Sequence, residues 1–166
     1  MNMLPLRPDD MTTFASGDFR ELGRPFGLEP RNLAPLSPLL VQISKAYANL
    51  YPNTHAVAPW LGYLAICSDT GEIVGTCGFT ANPRHGSVEI AYFTFPDYEG
   101  RGWGGRMASA LVNLAFSRDE IDVVCAHTLR ENNASTHILR RLGFALQGTV
   151  VDPDEGPVWR WHLPRA

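Results

Sequence analysis

The sequence predicts a single α/β domain of the α+β kind, with about four helices and one mixed, mostly antiparallel twisted sheet of six to seven strands. The chain has 166 residues, a length that suits one hydrophobic core. Short runs with strand character recur along it, separated by fewer and longer runs with the spacing of amphipathic helices. The central strand-like runs are joined by turns too short for a helical crossover, which predicts antiparallel pairing.

The first part of the chain predicts one strand followed by two helices. We expect the strand over residues 3–8 and the first helix over residues 11–19. Prolines and glycines crowd residues 23–38, and this composition predicts a loop. Residues 39–50 carry apolar side chains at helical spacing, which predicts the second helix.

Three consecutive strands are predicted next, over residues 59–67, 72–80 and 87–95. The turns between them contain Asp, Asn, Pro and Gly, as hairpin connections do. Strict alternation marks the third strand. One face carries Val88, Ile90, Tyr92 and Thr94, and the other carries Glu89, Ala91, Phe93 and Phe95.

A glycine-rich turn separates this third strand from a predicted helix. The turn holds Gly100, Gly102, Gly104 and Gly105, and the helix has an apolar stripe of Met107, Leu111, Leu114 and Ala115. The first amides of a helix have no partner within it and carry partial positive charge, so such a turn is a ready anion site.

Two arginines, Arg101 and Arg106, strengthen the prediction that this turn binds a phosphate. The alternative is a flexible turn with two solvated arginines. The glycine spacing also fits a dinucleotide-binding fingerprint, but that motif follows the first strand of its fold and precedes an acidic residue at the end of the second. Here several predicted strands precede the turn. A P-loop is excluded because no Gly-Lys-Ser/Thr follows.

The last third of the chain predicts a strand, a helix and a hairpin. We expect the strand over residues 121–128, buried on both faces because its apolar run is continuous. Asn132 or Asn133 caps the helix, and Gly143 ends it in the left-handed conformation. The hairpin pairs residues 146–151 with residues 158–163. The helix that precedes this hairpin has an apolar side formed by Ala134, Ile138, Leu139 and Leu142.

Composition excludes several classes of protein. A net charge of −3 and a pI near 5.9 give no electrostatic footprint for nucleic acid or an anionic membrane. Cys67, Cys77 and Cys125 form no C-x-x-C pair, so neither a disulfide framework nor a zinc site is expected, and no metal spacing occurs among the histidines. No apolar leader or span is evident, so we expect a cytoplasmic protein.

Two segments carry a resemblance to a known family. Glu99, Gly102 and Gly104 stand at the fixed positions of the motif [QR]-x-x-G-x-[GA], with Glu99 departing from the usual Gln or Arg. Asn132 and Ser135 precede a helix that ends in Leu-Gly-Phe. Together they resemble the GNAT family of N-acetyltransferases, and within it the subgroup that acetylates ribosomal-protein N-termini.

The resemblance implies one GNAT domain over residues 1–166, whose sheet is splayed between the fourth and fifth strands. Residues 1–58 would form the variable wall of the acceptor site, and residues 59–166 the cofactor-binding core. It implies acetyl-CoA as co-substrate, a primary amine as acceptor (a protein N-terminus or a small amine), direct transfer in a ternary complex, and no metal. The implied cofactor-binding residues are Phe93 and Phe95 through their backbone, Arg101, Gly102, Trp103, Gly104, Gly105 and Arg106 at the pyrophosphate, and Asn132 and Ser135 along the arm.

Glu89 is the candidate general base, because an amine must lose a proton to attack and this carboxylate stands in an otherwise apolar strand. The alternative is an ion pair or hydrogen bond within the sheet. For the departing thiolate, Ser135 is the first candidate acid and Tyr98 the second, since Leu139 occupies the position where many members have tyrosine. A coenzyme thiolate also leaves without an acid. His127, at the end of its strand, is a further candidate to line the cleft.

The sequence leaves the acceptor open. Asp152, Asp154 and Glu155 make an acidic hairpin tip that would attract amines, or else a solvated turn. A non-catalytic acyl-CoA-binding sensor on the same fold is the alternative function, and a nucleotide-binding regulator is a third. We expect acetyl-CoA and an amine as partners, with no nucleic acid and no membrane, and a homodimer is left open.

Overall fold

Seven β-strands form a single sheet in the computed structural model, which describes residues 1–166. In chain order the strands are β1 (Asn2–Leu6), β2 (Gly62–Ile66), β3 (Ile73–Phe79), β4 (Ser87–Thr94), β5 (Val123–Leu129), β6 (Ala145–Asp152) and β7 (Gly156–Pro164). The helices are α1 (Met11–Ala15), α2 (Leu33–Thr54), α3 (Trp103–Phe116) and α4 (Ala134–Arg141), with 3-10 turns at Pro8–Asp10, Arg24–Phe26 and Pro96–Tyr98. No helix combines the length and the apolar character that crossing a bilayer requires.

The strand order is β1-β2-β3-β4-β5-β7-β6. All pairs are antiparallel except β4 with β5, which run parallel. This parallel pair is joined for only three residues, from Ser87 opposite Val123 to Glu89 opposite Cys125. Both strands continue beyond that point without pairing, so a wedge-shaped gap opens between them. The mixed, mostly antiparallel sheet with a splay between the fourth and fifth strands is therefore confirmed.

Helices cover the two faces of the sheet unequally. On one face, α3 packs so closely that a Cβ at Gly75 would lie 3.0 Å from the Met107 Cε atom. On the other face, the Tyr47 ring of α2 lies over Gly62. The Tyr51 hydroxyl ties α2 to the sheet, donating to Leu6 O at 2.7 Å and accepting from the Gly62 N–H at 2.9 Å. Since α2 covers β1 to β3 only, this second face stays open at β4 and β5.

The first two helices differ from their prediction. The first ends at Ala15 rather than residue 19, and Gly17 follows with a φ of +89°. The second begins at Leu33, so the predicted loop over residues 23–38 is wrong for its last six residues. Pro35 falls in the first turn, where the missing N–H would have had no helical partner anyway. The Asn32 carboxamide anchors this start by bonding both backbone groups of Ile73, at 2.8 and 2.9 Å.

The fifth strand is not buried on both faces, as its apolar run predicted. Val124, Ala126 and Thr128 are buried, whereas the residues between them are half-exposed. The reason is the unequal helix cover, since only the α3–α4 face of this strand is packed. A continuous apolar run thus does not distinguish a strand covered on both faces from one covered on one face.

Both ends of α4 are closed by the interactions that the sequence predicts. Asn133 is the cap, with its side chain accepting from the Thr136 N–H at 3.0 Å while Thr136 Oγ1 accepts from the Asn133 N–H at 3.0 Å. Gly143 has a φ of +89°, and the Phe144 N–H donates to Leu139 O at 3.0 Å. These contacts fix the helix that presents Ser135.

The C-terminal end of α3 is closed by a residue distant in sequence. The Arg165 guanidinium donates to the carbonyls of Phe116 and Ile121, at 2.9 and 2.8 Å, and to that of Arg118. It also lies over the Phe116 ring. A cation at this position satisfies carbonyls that would otherwise lack partners and opposes the negative end of the helix dipole.

Candidate active site

A cavity of about 1100 Å³ opens on the α3–α4 face, beside the gap between β4 and β5. It is bordered by the end of β4, the glycine turn, the first turns of α3 and one side of α4. Its lining includes Tyr92, Phe93, Thr94, Glu99, Gly102, Trp103, Gly104, Gly105, Arg106, Ser135 and Arg141. Of the residues predicted to hold the cofactor, Phe95, Arg101 and Asn132 are absent from this lining.

The start of α3 offers unpartnered amides to this cavity. Gly102 is the N-cap residue, with a φ of +79° and no side chain to cap the helix. The first helical hydrogen bond runs from the Arg106 N–H to Gly102 O at 3.2 Å, so the amides of Trp103, Gly104 and Gly105 have no helical partner. The predicted cradle over residues 101–106 is therefore corrected at its last member, because the Arg106 amide is engaged within the helix.

The glycines of the turn have different surroundings. A Cβ at Gly102 or Gly105 would meet nothing within 4 Å, so these positions leave room for a ligand. A Cβ at Gly104 would lie 2.9 Å from the Ile138 Cδ1 atom of α4. Gly104 thus lies against α4, and a side chain there would first meet the movable end of the Ile138 side chain.

Two arginines line the cavity, but only one of them was predicted to. The Arg106 guanidinium lies 4.8 Å from the centre of the Trp103 ring, at the cavity wall. Arg101 instead lies over the Tyr98 ring, outside the lining. Arg141, in the last turn of α4, takes the second position. No local pattern in the sequence placed Arg141 at the cavity, so this residue was missed.

The backbone that faces the gap is that of Tyr92 and Thr94, which corrects the prediction of Phe93 and Phe95. Antiparallel strands direct the backbone groups of alternate residues to the same neighbour. Phe95 donates its N–H to Val74 O of the β3 side at 3.0 Å, and Glu89 accepts from the Thr80 N–H at 3.1 Å. The odd-numbered residues of β4 therefore pair with β3. The even-numbered residues face β5, where pairing stops after Glu89.

A hydroxyl pair lies where a coenzyme arm would cross the gap. The Tyr92 hydroxyl is 3.0 Å from Ser135 Oγ, and both residues line the cavity. Burial raises the pKa of the Tyr92 phenol, and the hydrogen bond to Ser135 opposes this only in part. Tyr92 was missed as a chemical group because strand alternation marked it as a core residue. Tyr98, the second predicted acid, is outside the cavity and accepts from the Asn32 Nδ2 atom at 2.9 Å.

Asn132 does not reach the cavity. Its Oδ1 atom accepts from Arg140 Nη1 at 3.0 Å, and the residue is exposed. Its neighbour Asn133 is turned inward as the helix cap. The predicted contact of Asn132 with the cofactor arm is therefore corrected, since capping by Asn133 turns Asn132 toward solvent.

Glu89 lies on the opposite face of the sheet, at the vertex of the gap. Its Oε1 atom is 2.7 Å from His127 Nδ1, and its Oε2 atom accepts from Thr80 Oγ1 at 3.2 Å. Its side chain is 33% exposed and that of His127 is 24% exposed, so solvent reaches the pair. Glu89 is thus hydrogen-bonded within the sheet and also borders the gap, and its role as the general base stays a prediction.

Past this vertex, an apolar rim borders the cleft. Continuing the register of β4 and β5 places Ala91 across from His127 and Phe93 across from Leu129. The Phe93 side chain is 51% exposed and that of Leu129 is 49% exposed, although both are large and apolar. Exposed apolar side chains around a polar floor are typical of a ligand site.

At the hairpin tip, Asp152 is used to build the turn. Its Oδ1 atom accepts from the amides of Asp154 and Glu155, at 2.9 Å each. These bonds lower the pKa of Asp152. Asp154 and Glu155 themselves are exposed and remain available as surface charge.

Comparison with known proteins adds the family context. A family model described as an acetyltransferase (GNAT) domain matches residues 2–145. The uncharacterized N-acetyltransferase YoaA of Bacillus subtilis is 27% identical over 143 residues, covering 86% of this chain and 77% of the relative.

Solved acetyltransferases share the fold. Aminoglycoside acetyltransferase AAC(6')-Ib in complex with coenzyme A has a TM-score of 0.66 at 19% identity, covering 99% of this chain and 94% of the other. Ribosomal-protein-S5-alanine acetyltransferase from Vibrio fischeri has a TM-score of 0.62 at 16% identity, covering 98% and 91%. At these identities the likeness concerns the architecture alone.

Proposed function

The chain belongs to the GNAT family of acetyltransferases, and from that premise we propose that it transfers an acetyl group from acetyl-CoA to a primary amine directly, in a ternary complex. The single observation that carries this proposal is the gap between β4 and β5. On one face it opens into a cavity lined by free amides and arginines, and on the other face Glu89 and His127 lie at its vertex.

The donor side suits a coenzyme diphosphate. The amides of Trp103, Gly104 and Gly105 have no helical partner, and Arg106 and Arg141 add two positive charges to the cavity. Next to them, Tyr92 and Thr94 direct backbone groups into the gap, where they would bond the amides of the pantetheine arm.

The chemistry follows from the groups at the gap. Glu89 accepts a proton from the acceptor's ammonium, directly or through water, and the neutral nitrogen forms a bond to the acetyl carbon. The second proton of that nitrogen leaves to water as the amide forms. As the carbon–sulfur bond breaks, Ser135 donates to the departing sulfur, and the Tyr92 hydroxyl supports it through their 3.0 Å hydrogen bond. Because burial raises the pKa of Tyr92, its proton is available as a donor at neutral pH.

A thiol-release assay tests this function. The full chain is incubated with acetyl-CoA and a panel of amines, amino acids and peptides, and free thiol is followed over time. Amine-dependent release above background hydrolysis supports the proposal. Tight binding of coenzyme A with no amine-dependent release would instead favour the acyl-CoA-binding sensor.

A further inference from the structure

The acceptor face of the gap holds a hydrogen-bonded row of three side chains, Glu89, His127 and Arg160. The Arg160 Nε atom donates to His127 Nε2 at 3.1 Å, and His127 Nδ1 lies 2.7 Å from Glu89. Arg160 is on β7, directly opposite His127 in the register with β5. This row of hydrogen-bonded side chains therefore spans three strands, β4, β5 and β7, on the face that α2 leaves open.

These contacts determine the tautomer of His127. An arginine Nε–H only donates, so His127 Nε2 must be the acceptor and Nδ1 must carry the hydrogen. His127 is then a neutral ring that donates to the Glu89 carboxylate. Both nitrogens of the ring are occupied, which leaves Glu89 as the proton acceptor nearest the gap and Arg160 as the positive charge beside it.

The outer nitrogens of Arg160 have no partner in the protein. Only its Nε atom takes part in a hydrogen bond, and the residue is exposed. The two Nη groups remain free donors next to the place where an amine would approach Glu89. His162, two residues along the same strand, has its pKa lowered first by burial and then by the positive charge of Arg160. This end of the face thus disfavours a second cation.

We propose that the acceptor is an α-amino compound, and that Arg160 is the residue that selects it by binding an oxygen on the carbon next to the amine. The amine faces Glu89, and the neighbouring carboxylate or carbonyl faces the Nη groups of Arg160. This inference rests on the proposed acetyl transfer. A free amino acid and a peptide N-terminus share this chemistry, whereas a polyamine would bring a second ammonium group toward the guanidinium.

A matched set of amines tests the proposal. The substrates are alanine, alaninamide, an alanyl dipeptide, isopropylamine and spermidine, with kcat/KM compared per fraction of neutral amine. We expect alanine, alaninamide or the dipeptide to exceed isopropylamine and spermidine at least tenfold. A faster dipeptide assigns the peptide N-terminus as the source, and a faster alanine assigns the free amino acid.

The variant Arg160→Gln provides a second test of the proposal. Arg118→Gln, just past the distant end of α3, is the control for the loss of one positive charge. Arg160→Gln is expected to reduce kcat/KM for alaninamide at least tenfold more than for isopropylamine, and Arg118→Gln to leave the ratio as in the wild type. Equal losses on all amines would overturn the proposal, since Arg160 would then act only by holding His127. A wild-type preference for isopropylamine or spermidine would overturn the selection of an α-amino compound, but it would still agree with acetyl transfer to an amine. Absence of any amine-dependent thiol release would refute acetyl transfer itself.

Discussion

The two faces of the β4–β5 gap are built from different chemical groups. The donor face relies on backbone, namely the amides at the start of α3 and the unpaired edge of β4. The acceptor face relies on side chains that meet from three strands, Glu89, His127 and Arg160. A binding site made of main-chain N–H groups requires little more than the glycine spacing, so many different sequences can form the same donor site. Side-chain sites depend on the identity of each residue, so we expect the acceptor face to determine which amine this chain uses.

The largest effect is expected from Glu89→Gln, which should impair the acceptor face and leave coenzyme binding on the donor face intact. The amide keeps the shape but does not accept a proton from the ammonium, so we expect kcat/KM to fall by about 10² to 10⁴. The acidic limb of the pH–rate profile, which reports the general base, should shift or disappear. Coenzyme A affinity, measured by calorimetry, should stay as in the wild type. An unchanged pH–rate profile would assign Glu89 a purely structural role.

A matched change on the donor face is Gly105→Val. A side chain at this position points into open space beside the unpartnered amides, where the diphosphate would lie. We expect coenzyme A affinity to fall by about 10- to 100-fold, corresponding to roughly 1.4–2.8 kcal/mol.

Gly104→Ala is the companion to that variant. It brings a Cβ to 2.9 Å from the movable end of the Ile138 side chain, and alanine favours the helix more than glycine does, so we expect little change in the melting temperature. If Gly105→Val binds coenzyme A as tightly as the wild type, the phosphate cradle has been misassigned.

Tyr92→Phe tests whether the Tyr92–Ser135 hydroxyl pair, which lies beside the gap, contributes to the transfer step. Loss of the hydroxyl removes the partner of Ser135, and we expect kcat to fall by about tenfold, in line with one hydrogen bond of roughly 1.4 kcal/mol. Burial disfavours the charged phenolate and raises the pKa, so the wild-type hydroxyl keeps its proton through neutral pH and loses it only on the alkaline side. A Ser135→Ala double-mutant cycle should show that the two losses are not additive. Additive losses would mean that the pair does not act together.

The smallest effect is expected at the hairpin tip. Asp154→Asn combined with Glu155→Gln removes two exposed charges near the acceptor entrance, and we expect the KM of the amine to rise about two- to fivefold through weaker electrostatic attraction. Acetyl-CoA affinity should not change, and added salt should reduce the difference. An amine KM that does not move would identify the tip as an ordinary solvated turn.

Prediction from sequence succeeded where local rules decide the structure. Glycine spacing located the start of α3, and strand alternation placed Glu89 and Phe93 on one face. It failed where the tertiary arrangement decides. The side of β4 that remains unpaired depends on where β5 stops, so Phe93 and Phe95 were chosen in place of Tyr92 and Thr94. The proximity of Arg160 and Arg141 to the site depends on strand and helix positions that no local pattern contains.

The arginine at position 165 gives α3 two unlike termini. The carbonyls at its C-terminal end accept hydrogen bonds from the Arg165 guanidinium, whereas the N–H groups at its N-terminal end have no partner in the protein. Removing the last two residues would therefore strip a counter-charge from the C-terminal end of the helix without touching the cavity, and we expect a lower free energy of unfolding.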